Sequence, residues 1–522
     1  MVNNGCDIGK IEGGNSLARF EIGASETRRH EKNVLCHRLY TKILHALPTL
    51  LESKQYISLI VCGVLLWGTS WFIFKDIVLP GGFVFRMAGL VTTGYIFGHT
   101  LQKYTTIHQI VGMTLIGAIG RYYLGPSNYL DIPTANAIDY HLRRIYPVII
   151  LTKGPLSWNW EYIKNNSIKV FSLATLPWIV ECMSVAVFAH ILLEFPWYWG
   201  LHLGSILASV SPAVVVPTAM ALNAKGLGTK KQIAQLVSNA GGLDTAFTEG
   251  MFGVINAAIF VPSTPYYRII KAILAIFVGI AFGVMWGILS DLFPDHNDRY
   301  SPAIRSLFLF SGGYFVTYAC GYLGWGGTAG VAIMVSAGTA ATRWSRRGWA
   351  INANPVSEVY TVLWRIFEPM LFTLSGYFLE VSQLSLREFG VTIACIFLAL
   401  LLRLITAMLT ALANELSVRE SLFIAVTWIP KAIVEAVLVR VASDSLSQEF
   451  STSEDKIIAT QHSNIIVIAI ITTTTLGSIL TTILGPVLLS PDSRVAPEEI
   501  CGAQTHPTPQ HTHTSRRNSV QR

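Results

Sequence analysis

The chain has little charge for its length. Of its 522 residues, 13% are charged and 52% are hydrophobic. A soluble domain carries about 25% charged residues, so this scarcity excludes an ordinary soluble protein. Regular alternation of apolar and polar residues is also missing, which excludes a β-barrel. Several apolar runs exceed about 18 residues, the length that crosses a bilayer as a helix. The sequence therefore predicts an all-α polytopic membrane protein.

Three further features are lacking. The seven cysteines are odd in number and scattered, which argues against a disulfide framework. The polar N-terminus has no short apolar core, so no cleavable signal peptide is expected. The glycine-rich stretches follow no predicted strand, which excludes a nucleotide-binding loop. We therefore expect neither an enzyme nor a bound cofactor.

The apolar runs divide the chain into three regions: a cytoplasmic N-terminal region over 1–55, a transmembrane domain over 56–490 and a disordered cytoplasmic tail over 491–522. About fourteen spans are predicted, at 57–74, 83–100, 107–122, 141–153, 168–190, 198–222, 234–261, 268–293, 304–322, 325–342, 357–380, 387–412, 417–440 and 463–488.

The net charge of +7 comes from basic residues placed mostly at span ends and in short loops. Alternate loops are basic, from Lys103 to Arg347, whereas the opposite loops carry acids, from Asp131 to Asp455. This asymmetry places both termini in the cytoplasm. The position of the basic residues at span ends indicates contact with membrane lipids and not with nucleic acid. The expected location is the plasma membrane, with an organelle membrane as the alternative.

Two acids, Asp244 and Glu249, lie in the apolar stretch Ser238–Glu249. A charged group at bilayer depth costs about 3 kcal/mol or more and usually marks an ion path. The alternative is a carboxylate that only pairs with a base to hold helices together. Thr245 and Glu249 are four residues apart and therefore share one helix face. Carboxylate and hydroxyl oxygens suit a hard cation, which makes Asp244 and Glu249 the candidate metal-ion ligands.

Four more ionisable residues lie within predicted spans. They are Glu181, Arg403, Lys431 and Glu435. The spacing of Lys431 and Glu435 predicts a shared helix face. Acids and bases in nearly equal number can neutralise one another inside a membrane.

Two segments contain helix-breaking residues. Ser211–Thr218 contains Pro212 and Pro217, and Gly321–Gly330 contains Gly326 and Gly327. Interrupted segments in both halves are typical of an inverted-repeat transporter, whose broken helices hold an ion at mid-membrane. Two ordinary kinks are the alternative.

These residues resemble the metazoan sodium/proton antiporter (NHA) family of the monovalent cation:proton antiporter superfamily. The resemblance covers about residues 57–490. It is carried by Val78–Gly82, Leu176–Glu181, Val210–Pro217, Ile366–Phe372 and Trp428–Ala432. It implies a homodimer in which each protomer has a dimerisation domain and a core domain with two crossing broken helices. The core would move like an elevator.

By motif match, the resemblance pairs Glu181 with Arg403 and makes Lys431 the membrane-embedded lysine. The family has two adjacent aspartates where this chain has Asp244 and Thr245. The second is the usual carrier, so Glu249 is the candidate replacement. Two positions that resemble family glutamines are acidic here, Glu368 and Glu435.

Three functions follow. The first is exchange of Na+ or Li+ for protons by alternating access, with Asp244 and Glu249 acting against Lys431. The second is proton-coupled transport of another ion, such as chloride, with Lys431 and Arg403. The third is a non-transporting homologue that acts as a partner or regulator.

Overall fold

The computed structural model describes residues 57–58, 61–124, 132–260, 264–295, 298–349, 354–380, 385–446 and 452–491. These residues are mostly helical, and the one β-pairing among them is an isolated bridge between Leu227 and Pro491. The predicted all-α class is therefore confirmed. The predicted N-terminal region over 1–55 lies outside the described residues. The predicted tail over 491–522 also lies outside them, except for Pro491, which forms the bridge to Leu227.

The chain divides into two compact units, Met1–Phe85 and Arg86–Arg522. The described part of the first unit contains helix α1, seen over 61–74, and a 3-10 turn at Lys75–Ile77. The other helices have these bounds: α2 Phe83–Tyr104, α3 Gln109–Leu124, α4 Ile132–Leu156, α5 Trp160–Asn165, α6 Ser167–Leu192, α7 Trp197–Leu207, α8 Pro212–Ala224, α9 Ile233–Phe260, α10 Pro265–Leu292, α11 Ser301–Leu323, α12 Thr328–Arg346, α13 Pro355–Tyr377, α14 Leu386–Ala413, α15 Val418–Thr427, α16 Ile433–Leu438, α17 Val441–Ser445 and α18 Ser453–Leu488.

Several helices have the length and composition of membrane spans. Within the described residues there are five of these: Ser167–Leu192, Trp197–Ala224, Tyr266–Leu292, Leu386–Ala413 and Ser453–Leu488. On α10, large apolar side chains such as Leu274 and Phe277 are exposed, as expected of a surface that faces lipid. The polytopic membrane class is confirmed, but the predicted number of about fourteen spans is not.

The first broken helix is formed by α7 and α8, which together make one span. Helix α7 ends at Leu207 and α8 begins at Pro212, so residues 208–211 are unwound between them. Proline is favoured at a first helical position because its missing N–H has no partner to lose there. The break was predicted at Pro212 and Pro217, but it precedes Pro212, and Pro217 lies inside α8.

The second broken helix is formed by α15 and α16, with residues 428–432 unwound between them. The sequence predicted one continuous span over 417–440. The two breaks meet: the Ser211 backbone N–H donates to the Pro430 carbonyl at 2.9 Å. Each unwound segment therefore satisfies part of the backbone that the other leaves without helical partners.

The prediction that Gly326 and Gly327 interrupt a helix was wrong. They lie in a turn over 324–327 that joins α11 and α12, which have 23 and 19 residues and are each close to a full span. Gly324 (φ 66°) and Gly327 (φ 74°) adopt the left-handed conformation that glycine provides at helix ends. The turn packs on α9, where Gly327 approaches the backbone of Gly253.

Candidate functional site

Helix α9 carries Asp244 to the first break. The Asp244 carboxylate accepts the Val210 backbone N–H at 2.8 Å and an Arg403 Nη2–H at 3.2 Å, and it is fully buried. Val210 lies between α7 and α8, so its N–H is not used within either helix. The break thus leaves the Val210 N–H free to donate to the Asp244 carboxylate.

Arg403 connects three elements. It lies on α14, and its Nη1 donates to Glu181 Oε2 of α6 at 2.5 Å and to the Ala208 carbonyl just after α7. A carbonyl at a helix C-terminus carries partial negative charge, which favours a cation there. The structure therefore contains the predicted ion pair of Glu181 and Arg403, and both side chains are buried.

Lys431 lies in the second unwound segment and reaches the first. Its ammonium donates to Glu181 at 2.8 Å and to the Leu207 carbonyl, with Ser209 O at 3.5 Å. Two threonines of α18 satisfy the lysine backbone: the Lys431 N–H donates to Thr473 Oγ1 at 3.2 Å, and Thr474 Oγ1 donates to the Lys431 carbonyl at 2.7 Å.

We call Glu181, Asp244, Arg403 and Lys431 the charge cluster. All four are at most 1% exposed. Burying a single ion is costly, but opposite charges with satisfied hydrogen bonds offset one another. Lys431 is thus paired with Glu181 and not with Asp244. The predicted helix face shared by Lys431 and Glu435 is not formed, because Lys431 is outside α16.

Thr245 faces a cavity of about 430 Å³, here called the Thr245 cavity. Its hydroxyl donates to the Gly241 carbonyl at 3.1 Å, which leaves oxygen lone pairs for a further ligand. Pro212, Pro217 and Glu368 line the same cavity. Gln109 Nε2 donates to Glu368 at 2.9 Å, and Lys153 lies within electrostatic range of that carboxylate.

Glu249 faces a second cavity, of about 660 Å³, here called the Glu249 cavity. Gly326 and Gly327 line it too, and Gly330 lies so close to the Glu249 carboxylate that an added Cβ would be 2.5 Å from Oε2. Asp244 and Glu249 are five residues apart, or about 140° around a helix. The expectation that they bind one cation together is therefore not supported, because Asp244 points to Arg403 instead.

The same two helices, α9 and α16, line both cavities, each cavity at a different level along the helix. On α9, Thr245 lines one cavity and Glu249 the other; on α16, Val434 lines one and Val437 the other. Each pair is separated by about one helical turn, or roughly 5 Å. A thin layer of α9 and α16 thus separates the two cavities.

Sequence reasoning missed a buried histidine pair. Nδ1 of His202 lies 3.0 Å from Nε2 of His462, and Nε2 of His202 lies 3.1 Å from Oδ1 of Asn256. Asn256 lines the Glu249 cavity. The available signal was an ionisable side chain within an apolar run at each position.

Residues 87–486 match the family model described as sodium/hydrogen exchanger, transmembrane. A sodium/hydrogen exchanger 9B2 of Xenopus tropicalis is 28% identical over 84% of this chain and 80% of its own length. A sodium/hydrogen exchanger 9B1 of Homo sapiens is 29% identical over 84% and 87%, respectively.

The sodium proton antiporter MjNhaP1 from Methanocaldococcus jannaschii has a similar fold, with a TM-score of 0.60. It is 20% identical, and the similarity covers 78% of this chain and 98% of that one. The family match extends over most of the sequence and agrees with this fold. The chain therefore belongs to the sodium/hydrogen exchanger family, whose members are transporters and not enzymes.

Proposed function

We propose that this chain exchanges a monovalent cation, Na+ or Li+, for protons across a membrane by alternating access. One observation carries the proposal: two cavities end about one helical turn apart, next to a buried charge cluster held by two broken helices. A small shift of the helices between the cavities would open the charge cluster to one cavity and then to the other. The names of the relatives and of the solved antiporter agree with this function.

The proposed roles follow from the contacts. Glu181 and Arg403 hold α6, α14 and the first break together, and Lys431 connects the second break to them. Asp244 provides a carboxylate beside the first break, while Glu249 is the carboxylate that a cation meets in its own cavity. The Thr245 hydroxyl and the carbonyls of the unwound segments are hard oxygen ligands for an alkali cation.

The loop charges support a direction for each cavity. The Thr245 cavity contains Ser157, which precedes the short helix α5 with Lys164 on the predicted cytoplasmic side, and would open to the cytoplasm. The Glu249 cavity contains Asp444 and would open to the opposite side. We further propose a homodimer in the plasma membrane. This proposal rests on the family resemblance, and an organelle membrane is the alternative.

Proton flux in liposomes tests the function. Purified protein should move protons in response to a Na+ or Li+ gradient. Asp244→Asn should lower that flux at least roughly tenfold, because it removes a charge on which the buried pairing depends.

The same assay tests the two alternative functions. Proton flux that depends on chloride and not on Na+ or Li+ would support the anion hypothesis instead. That outcome is not expected, because Arg403 and Lys431 already bind carboxylates and carbonyls. Protein that moves no ion would indicate a non-transporting homologue.

A further inference from the structure

Glu435 differs from every other acid in the described part of the chain. It lies on α16, is 0% exposed, and neither of its carboxylate oxygens has a hydrogen-bond partner in another residue. Among the described residues, the one donor near the carboxylate is the backbone N–H of Glu435 itself. The acids of the charge cluster, in contrast, receive two or more donors each. A buried charged carboxylate without partners is strongly destabilising. Glu435 is therefore stable when it is neutral or when a cation is bound to it.

The neighbourhood of Glu435 shows why it has no counter-charge. It interacts electrostatically with Lys431, Glu181 and Arg403. Both bases are already engaged: Arg403 by Glu181 and Asp244, and Lys431 by Glu181. Together with Glu435 the charge cluster contains three acids and two bases. One carboxylate is thus in excess, and it needs a proton or a cation.

The position of Glu435 suits an exchange between the two sides. On the same short helix, Val434 lines the Thr245 cavity and Val437 lines the Glu249 cavity. Glu435 lies between them in sequence and belongs to the layer that separates the cavities. The unwound segment before α16 gives this layer backbone freedom that a continuous helix would lack.

We propose that Glu435 is the carboxylate that holds a proton and the transported cation in turn. This role rests on the proposed antiport function. Glu435 lines neither cavity at rest, so the layer first shifts until one cavity reaches it. When the cation then binds, the O–H bond of the neutral acid breaks and its proton passes to water in that cavity, while the carboxylate keeps the electron pair. The net charge of the cluster is the same in both states. In this proposal Glu435, and not Glu249, takes the role that the family resemblance gives to an aspartate at the position of Thr245.

The first test removes the excess acid. Glu435→Gln keeps the shape of the side chain and should lower cation-dependent proton flux at least roughly tenfold, because amide nitrogen and oxygen cannot exchange a proton for a cation. Glu454→Gln, the same change at an exposed position of α18, is the matched control and should leave the flux unchanged. A folded Glu435→Gln protein with wild-type flux would overturn the proposal.

The second test relocates the acid. The double variant Thr245→Asp with Glu435→Gln again has three acids and two bases, and it should regain cation-dependent proton flux relative to Glu435→Gln. If Glu435→Gln does not fold, the double variant is compared with wild type directly. A folded double variant without flux would contradict the argument that three acids and two bases are sufficient for exchange.

Wild-type liposomes separate this inference from the proposed function. If the wild type shows no Na+- or Li+-dependent proton flux, antiport itself is refuted and the role of Glu435 in it fails with it. If the wild type transports and Glu435→Gln transports equally well, only the role of Glu435 is refuted. Calorimetry in detergent gives an independent measure: Na+ binding should release a proton from wild type and none from Glu435→Gln.

Discussion

Arg403 holds together parts of the chain that are far apart in sequence. Its guanidinium contacts Glu181 on α6, Asp244 on α9 and the carbonyl of Ala208 at the first break. Guanidinium is suited to this position because it is always charged and presents several donors in a fixed plane. Its removal would leave two buried carboxylates with too few donors.

We expect Arg403→Met to destabilise the protein by about 3–5 kcal/mol, because it breaks a buried ion pair by removing one partner. The fall in melting temperature in detergent is the measurement. Arg346→Met, at an exposed position of α12, is the control and should change the melting temperature little. Equal melting temperatures for the two variants would contradict the role given to Arg403.

Some of these pairings were predictable from the sequence and others were not. The motif match placed Glu181 with Arg403, and the structure brings them together. The partner of Asp244 was not predictable, because Arg403 lies 159 residues away and several bases were available. In the sequence, Glu435 was visible as a charged residue near Lys431 and as an acid at a position that resembles a family glutamine. Its lack of partners depends on tertiary packing, which the local sequence does not contain.

At the scale of elements, the two breaks differ in how clearly the sequence indicates them. Pro212 begins α8 and the first break precedes it directly. The second break contains one proline, Pro430, and no glycine, and the spacing of Lys431 and Glu435 suggested a continuous helix face instead. The glycines at 324–327 end one helix and begin the next. Composition alone does not distinguish a helix end from a break, because both need residues that disrupt a helix.

The second break is held tightly by α18. A Cβ added at Gly477 would overlap Pro430 Cγ and would lie 2.6 Å from Cδ, which is closer than real contacts allow. We therefore expect Gly477→Ala to displace the unwound segment, lower cation-dependent flux at least roughly tenfold and destabilise the protein by about 1–3 kcal/mol.

Gly390→Ala is the matched control, since it lies on α14 with no atom within 4 Å of the added Cβ. In a helix this change should be neutral or stabilise by up to about 1 kcal/mol. Flux and melting temperature in both variants give the comparison. Wild-type values for Gly477→Ala would show that α18 does not restrain the break.

At the scale of the whole molecule, the cavities predict which residues water reaches from each side. Ala213 lines the Thr245 cavity and Ala329 lines the Glu249 cavity. In a cysteine-free background, an impermeant thiol reagent added outside whole cells should modify Ala329→Cys and leave Ala213→Cys unmodified. Inside-out vesicles should give the reverse.

The cysteine-free background matters because Cys320 itself lines the Glu249 cavity. The unsubstituted background provides the control for labelling elsewhere. If the reagent reaches both alanine positions from one side only, the two cavities do not lead to opposite sides of the membrane. The proposed alternating access would then need another path.

The count of charges around the second break also bears on how the two substrates influence each other. Three acids and two bases leave one carboxylate, that of Glu435, without a paired base. In the proposed mechanism a proton and a metal cation bind this same carboxylate, so each excludes the other. Acid on one side of the membrane would therefore act as a competitive inhibitor of cation uptake from that side, and a high cation concentration would overcome the inhibition. Transport would therefore slow as the side from which the cation is taken up becomes acidic, without a separate pH-sensing site.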